Sequence, residues 1–135
     1  MRRQRQIPTP AAAPATAPPM ITQLYGLERC GTCIRARDWL NSRRIDYRFT
    51  DYRAQPIAPA TLAVWAQTLG WEKLVNRAGT TWRSLGGAQK AATSDAEWLA
   101  LIAAFPTLVK RPVVVRDGRV SVGFSEKTFA ERFGA

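Results

Sequence analysis

Histidine is missing from this chain of 135 residues, and cysteine occurs only twice, at Cys30 and Cys33. Without histidine, a single chain cannot form a Ser-His triad, a Cys-His nucleophile pair or a histidine-containing metal site. Two thiolates are fewer than the four ligands of a tetrahedral zinc ion, and too few for a disulfide scaffold. We therefore expect no metal and no bound cofactor, and the candidate chemistry rests on the two thiols.

Long apolar runs and acidic residues are also scarce. No apolar run approaches the roughly 20 residues that cross a bilayer, so we expect no membrane span. The net charge is +10, from 20 basic and 10 acidic residues. The arginines are scattered among acids, apart from three in the first five residues, and form no basic stripe with aromatics. We therefore expect no direct nucleic-acid binding. A close C-x-x-C pair in a chain without a secretory signal is typical of cytoplasmic proteins.

The chain divides into a tail and one folded domain. Residues 1–20, MRRQRQIPTPAAAPATAPPM, hold five of the nine prolines and no acid. Such a segment cannot sustain a helix or a strand ladder, so we predict that it is disordered. Our hypothesis is that Met20 is the true start, which N-terminal sequencing of the natural protein would test. Residues 21–135 then form one domain, long enough to bury a core.

Hydrophobic periodicity predicts the order of elements within that domain. The segment ITQLYGL predicts a strand, residues 31–44 a helix, and DYRFTDY a second strand. A helical insert of about residues 53–106 follows, with a helix over 59–69, one or two short helices around Gly79, and a helix capped by Ser94 and Glu97. RPVVVRDGRVSVGF predicts a hairpin turning at Asp117-Gly118, and SEKTFAERF a last helix.

This order, β-α-β, helical insert, β-β-α, predicts an α/β fold. The first two strands should be parallel with a right-handed crossover, and the hairpin should add an antiparallel pair. The result is a four-stranded mixed sheet flanked by helices, which is the thioredoxin-like arrangement.

The C-x-x-C motif falls where the first strand passes into the first helix. At a helix N-terminus, free N–H groups and the helix dipole favour an anion, which lowers the pKa of a thiol placed there. Cys30 is therefore the candidate nucleophile, and Cys33, one turn on, either resolves a mixed disulfide or only packs in the core.

Three segments together resemble the arsenate-reductase-like (ArsC) family. They are LYGLERCGTCIRARDWLNSRRIDYRFTDYR, LGWEKLVNRAGTTWRSL and FPTLVKRPVVV with GRVSVGFSE, and they span about residues 21–133. NRAGTTWR and KRP are most similar to the YffB branch, proposed as glutathione-dependent thiol reductases. The C-x-x-C is shared with the Spx branch of RNA-polymerase-binding redox regulators.

The resemblance implies roles for particular residues. The family's catalytic cysteine falls on Cys30, and its anion-binding arginines on Arg111 and on Arg77, with Arg83 as the alternative to Arg77. Pro112 matches the cis-proline that lies beside the active-site thiol in thioredoxin-like folds.

One position departs from the family's pattern. Genuine arsenate reductases have a third arginine where this chain has Gly123. An arsenate oxyanion needs several guanidinium donors, so strict arsenate reduction is less expected than reaction with a mixed disulfide.

Two functions follow from these patterns. The first is a thiol-dependent reductase in which Cys30 attacks a small oxyanion or a disulfide, and glutathione, glutaredoxin or Cys33 resolves the intermediate. The second is an Spx-like regulator in which oxidation of Cys30 and Cys33 switches binding to RNA polymerase.

Overall fold

The computed structural model describes residues 21–134, so the predictions for residues 1–20 fall outside it. A four-stranded mixed sheet has the order β2-β1-β3-β4. Its strands are β1 (Thr22–Gly26), β2 (Tyr47–Asp51), β3 (Val113–Arg116) and β4 (Arg119–Val122). β1 pairs in parallel with β2 and antiparallel with β3, and β3 pairs antiparallel with β4. The predicted thioredoxin-like α/β fold is confirmed.

Helices occupy both faces of this sheet. They are α1 (Gly31–Ser42), α2 (Pro59–Leu69), α3 (Trp71–Leu74), α4 (Thr80–Arg83), α5 (Gly87–Lys90), α6 (Asp95–Ala104) and α7 (Glu126–Phe133), with a 3₁₀ turn at Pro106–Leu108. One core cluster joins α1 and α7 through Trp39, Leu40, Phe129 and Phe133. A second cluster joins the insert to the other face. Because successive strand residues point to opposite faces, Val113 belongs to the insert's cluster and Val114 to that of α1 and α7.

Local signals explain several element ends. Pro59 lies in the first turn of α2, and Gly70, with φ +85°, ends it. Ser94 and Glu97 form the predicted capping box of α6, with the Ser94 hydroxyl accepting from the Glu97 N–H at 3.1 Å. The Asp117-Gly118 turn has φ +51° and +78°, as a tight hairpin turn requires.

Two sequence predictions need correction. The first helix ends at Ser42, two residues early, because Arg44 adopts φ +57° and the Ile45 N–H bonds back to the Leu40 carbonyl. The stretch around Gly79 forms three helices of four residues (α3, α4 and α5) rather than one or two. Tertiary packing fixes this stretch, since the rings of Trp71 and Trp82 both stack against Trp98, about 6 Å away.

Two kinds of feature are absent from residues 21–134. No helix in this range is both long and apolar enough to cross a membrane. The same range holds no group of three or more Cys, Asp or Glu side chains arranged to bind a metal ion.

Candidate active site

Cys30 is the N-cap residue of α1. The chain leaves β1 at Gly26 and turns so that the Cys30 N–H bonds to the Leu27 carbonyl at 3.2 Å, while the Cys30 carbonyl accepts the first helical bond, from Ile34 at 2.9 Å. This tight strand-to-helix turn leaves the Cys30 side chain partly exposed beside the free N–H groups at the start of the helix.

The Cys30 thiol has a lowered pKa. Partial burial by itself raises the pKa, but the N–H and thiol of Cys33, the N–H of Thr32 and the charge of Arg111 all stabilise the thiolate, and the net shift is downward. The helix N-terminus therefore has the electrostatic effect that the sequence predicts.

Cys33 lies one helical turn further on and is fully buried. Burial raises the pKa of its thiol to about 11, and the nearby Cys30 charge adds to that rise, although the Leu27 backbone opposes it. Its Sγ packs directly against the Gly26 backbone, where a Cβ atom would overlap it. Glycine at the end of β1 is therefore what allows Cys33 to sit beneath Cys30.

The positive charge of Arg111 helps to lower the pKa of the Cys30 thiol. Its Nη1 donates to the Thr107 carbonyl at 3.2 Å and to the Tyr52 hydroxyl at 3.4 Å. Burial by itself would lower the pKa of Arg111, but Tyr52 and Cys30 outweigh it and the net shift is upward. The guanidinium is thus fixed from below while it stabilises the Cys30 thiolate.

Tyr52 is a buried polar residue that the sequence analysis did not assign to the site. Its ring is 1% exposed, and its hydroxyl donates to the Val109 carbonyl at 2.7 Å. Burial raises the pKa of Tyr52 to about 12, despite Arg111. Its position in the sequence could have indicated this role. Tyr52 directly follows β2, Cys30 follows β1, and the carboxyl ends of two parallel strands lie at the same edge of a sheet.

Asp51 connects the end of β2 to the Cys30 turn. Its carboxylate accepts from the Glu28 N–H at 3.0 Å and from the Arg53 N–H at 2.8 Å. Those bonds, the Glu28 N–H first, lower the pKa of Asp51 despite a small opposing effect of burial. This carboxylate orders the turn that carries Cys30.

These groups surround an open cavity of about 430 Å³. Its lining residues are Leu27, Glu28, Arg29, Cys30, Asp51, Arg53 and Arg111. The cavity brings Cys30 and Arg111 together, and it also includes Arg29 and Arg53, which the sequence did not indicate as ligands.

Arg77 and Arg83, the other two arginines predicted as anion ligands, do not line this cavity. The Arg77 guanidinium lies 5.4 Å from the Trp82 ring and 5.8 Å from the Trp98 ring. Nη1 of Arg83 donates to the Ala78 carbonyl at 2.6 Å, which closes its own loop. Cation–π contacts and a local hydrogen bond therefore hold both side chains within the insert.

The loop after Arg111 has the predicted proline geometry. The Arg111–Pro112 peptide bond is cis, and the Pro112 carbonyl accepts from the Gly123 N–H at 2.8 Å. Gly123 has φ +86°, a conformation that favours glycine over a residue with a side chain. The backbone here therefore disfavours the third arginine of the family's pattern.

The site offers one polarised thiolate, a fixed guanidinium and an open cavity. Thiol exchange needs those components and no general base, because the thiolate itself attacks sulfur. The arrangement is therefore suited to disulfide exchange at Cys30, while Cys33 is buried beneath it.

Two solved structures of similar proteins share this fold. The chain is similar to the solved structure of a protein named YFFB, with 41% identity, a TM-score of 0.76, and coverage of 82% of this chain and 96% of that one. It is 39% identical to an arsenate reductase (ArsC) related protein from Brucella melitensis, with a TM-score of 0.69 and coverage of 86% and 97%.

A regulator is also among the relatives. The global transcriptional regulator Spx 1 of Lactococcus lactis is 27% identical over 105 residues, which cover 76% of this chain and 81% of the regulator. A model of the ArsC family matches residues 25–132, nearly the whole folded domain and all of the cavity described above. This chain belongs to the ArsC family.

Proposed function

We propose that this protein is a glutathione-dependent thiol reductase with Cys30 as its nucleophile. The observation that carries the proposal is the placement of the two thiols. Cys30 is partly exposed in the cavity that contains Arg111, where its pKa is lowered, whereas Cys33 is fully buried, where its pKa is raised to about 11. The lowered pKa gives Cys30 a larger thiolate fraction than an ordinary cysteine, while Cys33 stays protonated.

The first step is an exchange at sulfur. The Cys30 thiolate attacks the glutathionyl sulfur of a mixed disulfide, a new S–S bond joins Cys30 to glutathione, and the substrate leaves as a thiolate that takes a proton from water. Arg111 stabilises the thiolate before attack. No electrons are gained or lost overall, because one disulfide replaces another.

A second glutathione completes the cycle. Its thiolate attacks the glutathionyl sulfur on Cys30, releases oxidised glutathione and restores the Cys30 thiolate. We favour glutathione over Cys33 for this step because Cys33 is fully buried, and burial by itself raises the pKa of its thiol and disfavours the attacking thiolate. A reducing compartment such as the cytoplasm would supply this glutathione.

The cavity favours a mixed disulfide over arsenate. Its volume of about 430 Å³ lies in the range of sites for organic ligands, and its three arginines are accompanied by the carboxylates of Glu28 and Asp51. Those carboxylates would repel a small, highly charged oxyanion. A peptide-like thiol carries an amino group that can pair with the carboxylates and carboxylates that can pair with the arginines.

A coupled assay tests this function. NADPH oxidation is followed with glutathione, glutathione reductase and a small mixed disulfide, without glutaredoxin, which would reduce the disulfide itself. Arsenate is offered in a separate reaction that includes glutaredoxin. We expect turnover of the disulfide that is lost in Cys30→Ser and kept in Cys33→Ser. Turnover that persists in Cys30→Ser, or absence of any turnover, would refute the proposal.

A redox-controlled regulator of the Spx kind is the second candidate. The C-x-x-C pair and the similarity to Spx 1 favour it. In this function an oxidant converts the two thiols into a Cys30–Cys33 disulfide, which changes binding to RNA polymerase. Co-purification of polymerase subunits with oxidised but not reduced protein, lost in Cys33→Ser, would support it. The two candidates thus differ in their need for Cys33.

A further inference from the structure

A second basic cavity, of about 560 Å³, lies between the β3-β4 hairpin and the end of α7. Its lining residues are Val114, Arg116, Asp117, Arg119, Val120, Ser121, Arg132 and Phe133. The register pairs Gln23 with Val115, so the hairpin turn lies at the start of β1, whereas Cys30 follows the end of β1. The two cavities are therefore at opposite ends of the sheet.

Two of the arginines in this cavity, Arg116 and Arg132, are held by backbone carbonyls. Arg132 donates through Nη1 to the Gly123 carbonyl at 3.1 Å and through Nη2 to the Val122 carbonyl at 3.0 Å. Arg116 donates through Nη1 to the Arg132 carbonyl. Neutral carbonyls orient a guanidinium without cancelling its charge, so both side chains are ordered and remain positive.

Little negative charge opposes them. Within residues 21–134 there is one ion pair, in which Nε of Arg116 lies 4.0 Å from Oδ2 of Asp117. Burial lowers the pKa of Arg132, and Glu131 opposes that shift only by a longer-range interaction. The cavity therefore holds three guanidinium charges and one carboxylate, an excess of two positive charges in a partly desolvated site.

We propose that this cavity binds a small phosphate monoester. A phosphate dianion matches the excess of two positive charges, and its three free oxygens suit the forked donors of arginine. The Ser121 hydroxyl on the cavity wall provides a further donor. The apolar wall formed by Val114 and Phe133, together with a volume beyond that of phosphate itself, leaves room for the organic part of the ester.

This cavity is separate from the proposed reductase site, so ligand binding is measured in place of enzyme activity. Amide shifts of the ¹⁵N-labelled full chain are followed in a phosphate-free Tris buffer with phenyl phosphate, inorganic phosphate and benzoate. We expect saturable shifts at residues 116–121 and at Phe133, with phenyl phosphate binding more tightly than inorganic phosphate, and benzoate more weakly than phenyl phosphate. Shifts at Cys30 and Thr32 would report the other cavity separately.

Matched variants show whether the arginines are the ligands. Arg119 is exposed, so Arg119→Gln should fold normally and weaken phenyl phosphate about tenfold. Arg132→Gln should weaken it too, with thermal unfolding to check the fold. Arg37→Gln is the control, because it removes the same charge from a guanidinium that lies over Phe49 on β2. Absence of saturable shifts, equal binding of benzoate, or equal weakening in Arg37→Gln would overturn the proposal.

Discussion

The Tyr52 hydroxyl lies 3.4 Å from Nη1 of Arg111 and joins a fully buried side chain to the cation that stabilises the Cys30 thiolate. The same hydroxyl donates to the Val109 carbonyl. Tyr52 is therefore a positioning residue, because it acts on sulfur only through Arg111. Its effects should show in the ionisation of Cys30 as well as in stability.

Tyr52→Phe should raise the pKa of Cys30 and cost about 1–2 kcal/mol of unfolding free energy, since the Val109 carbonyl loses its buried donor. Thiolate absorbance at 240 nm against pH and urea denaturation measure the two effects. Tyr25→Phe is the matched control, because the Tyr25 ring packs edge-on against Trp65 and Arg111 donates to Tyr52 and Thr107, not to Tyr25. An unchanged Cys30 pKa in Tyr52→Phe would show that Tyr52 has only a structural role.

Alkylation of Cys30 by iodoacetamide should follow its lowered pKa. The reactive form is the thiolate, so the rate should rise with pH, and the midpoint of that rise should lie at lower pH than for an ordinary cysteine. Arg111→Gln should move this rise to higher pH, because a neutral amide no longer stabilises the thiolate. Arg43→Gln is the control, since that guanidinium lies over the Trp39 ring. Equal pH profiles for both variants would show that Arg111 does not stabilise the Cys30 thiolate.

Gly26→Ala should destabilise the fold by about 1–3 kcal/mol, because the added Cβ overlaps Cys33 Sγ. Removing that sulfur should relieve the overlap, so Gly26→Ala/Cys33→Ala should lose less stability than the two single variants summed. Gly87→Ala is the control, since no atom lies within 4 Å of its added Cβ. Strict additivity in urea denaturation would contradict the contact.

Glu97 should contribute an acid-sensitive part of the stability. Hydrogen bonds from the Ser94 N–H, the Thr93 N–H and their hydroxyls lower the pKa of Glu97 to about 2. The folded state therefore stabilises the ionised carboxylate more than the unfolded state does. This contribution to the unfolding free energy is present above about pH 4.3 and is lost as the pH falls towards 2. Glu97→Gln should flatten that part of the pH–stability curve, whereas the exposed control Glu131→Gln should leave it steep.

The sequence predicted the features that depend on short-range patterns. The C-x-x-C pair at a strand-to-helix turn, the Ser94–Glu97 capping box and the Asp117-Gly118 hairpin each depend on residues a few positions apart. The parallel pairing of β1 with β2 and the antiparallel hairpin of β3 and β4 then followed from the order of the elements. Arg111 and Pro112 came from the family resemblance.

Contacts between distant segments were not predictable in this way. Arg77 was assigned to the anion site, but the indole rings of Trp82 and Trp98 attract its guanidinium. Tyr52 was missed because its partners are 57 and 59 residues away in the chain. Nothing in local spacing indicates which of several arginines a folded insert will turn towards a thiol.

The complete burial of Cys33 gives the chain a built-in reporter of its own opening motions. In the folded state a thiol-specific reagent can reach Cys30 but not Cys33, so the first adduct forms quickly on Cys30. A second adduct requires α1 to separate from the sheet, because Cys33 lies between that helix and Gly26. Intact-mass spectra recorded over time would therefore give the free energy of that local opening with no engineered probe.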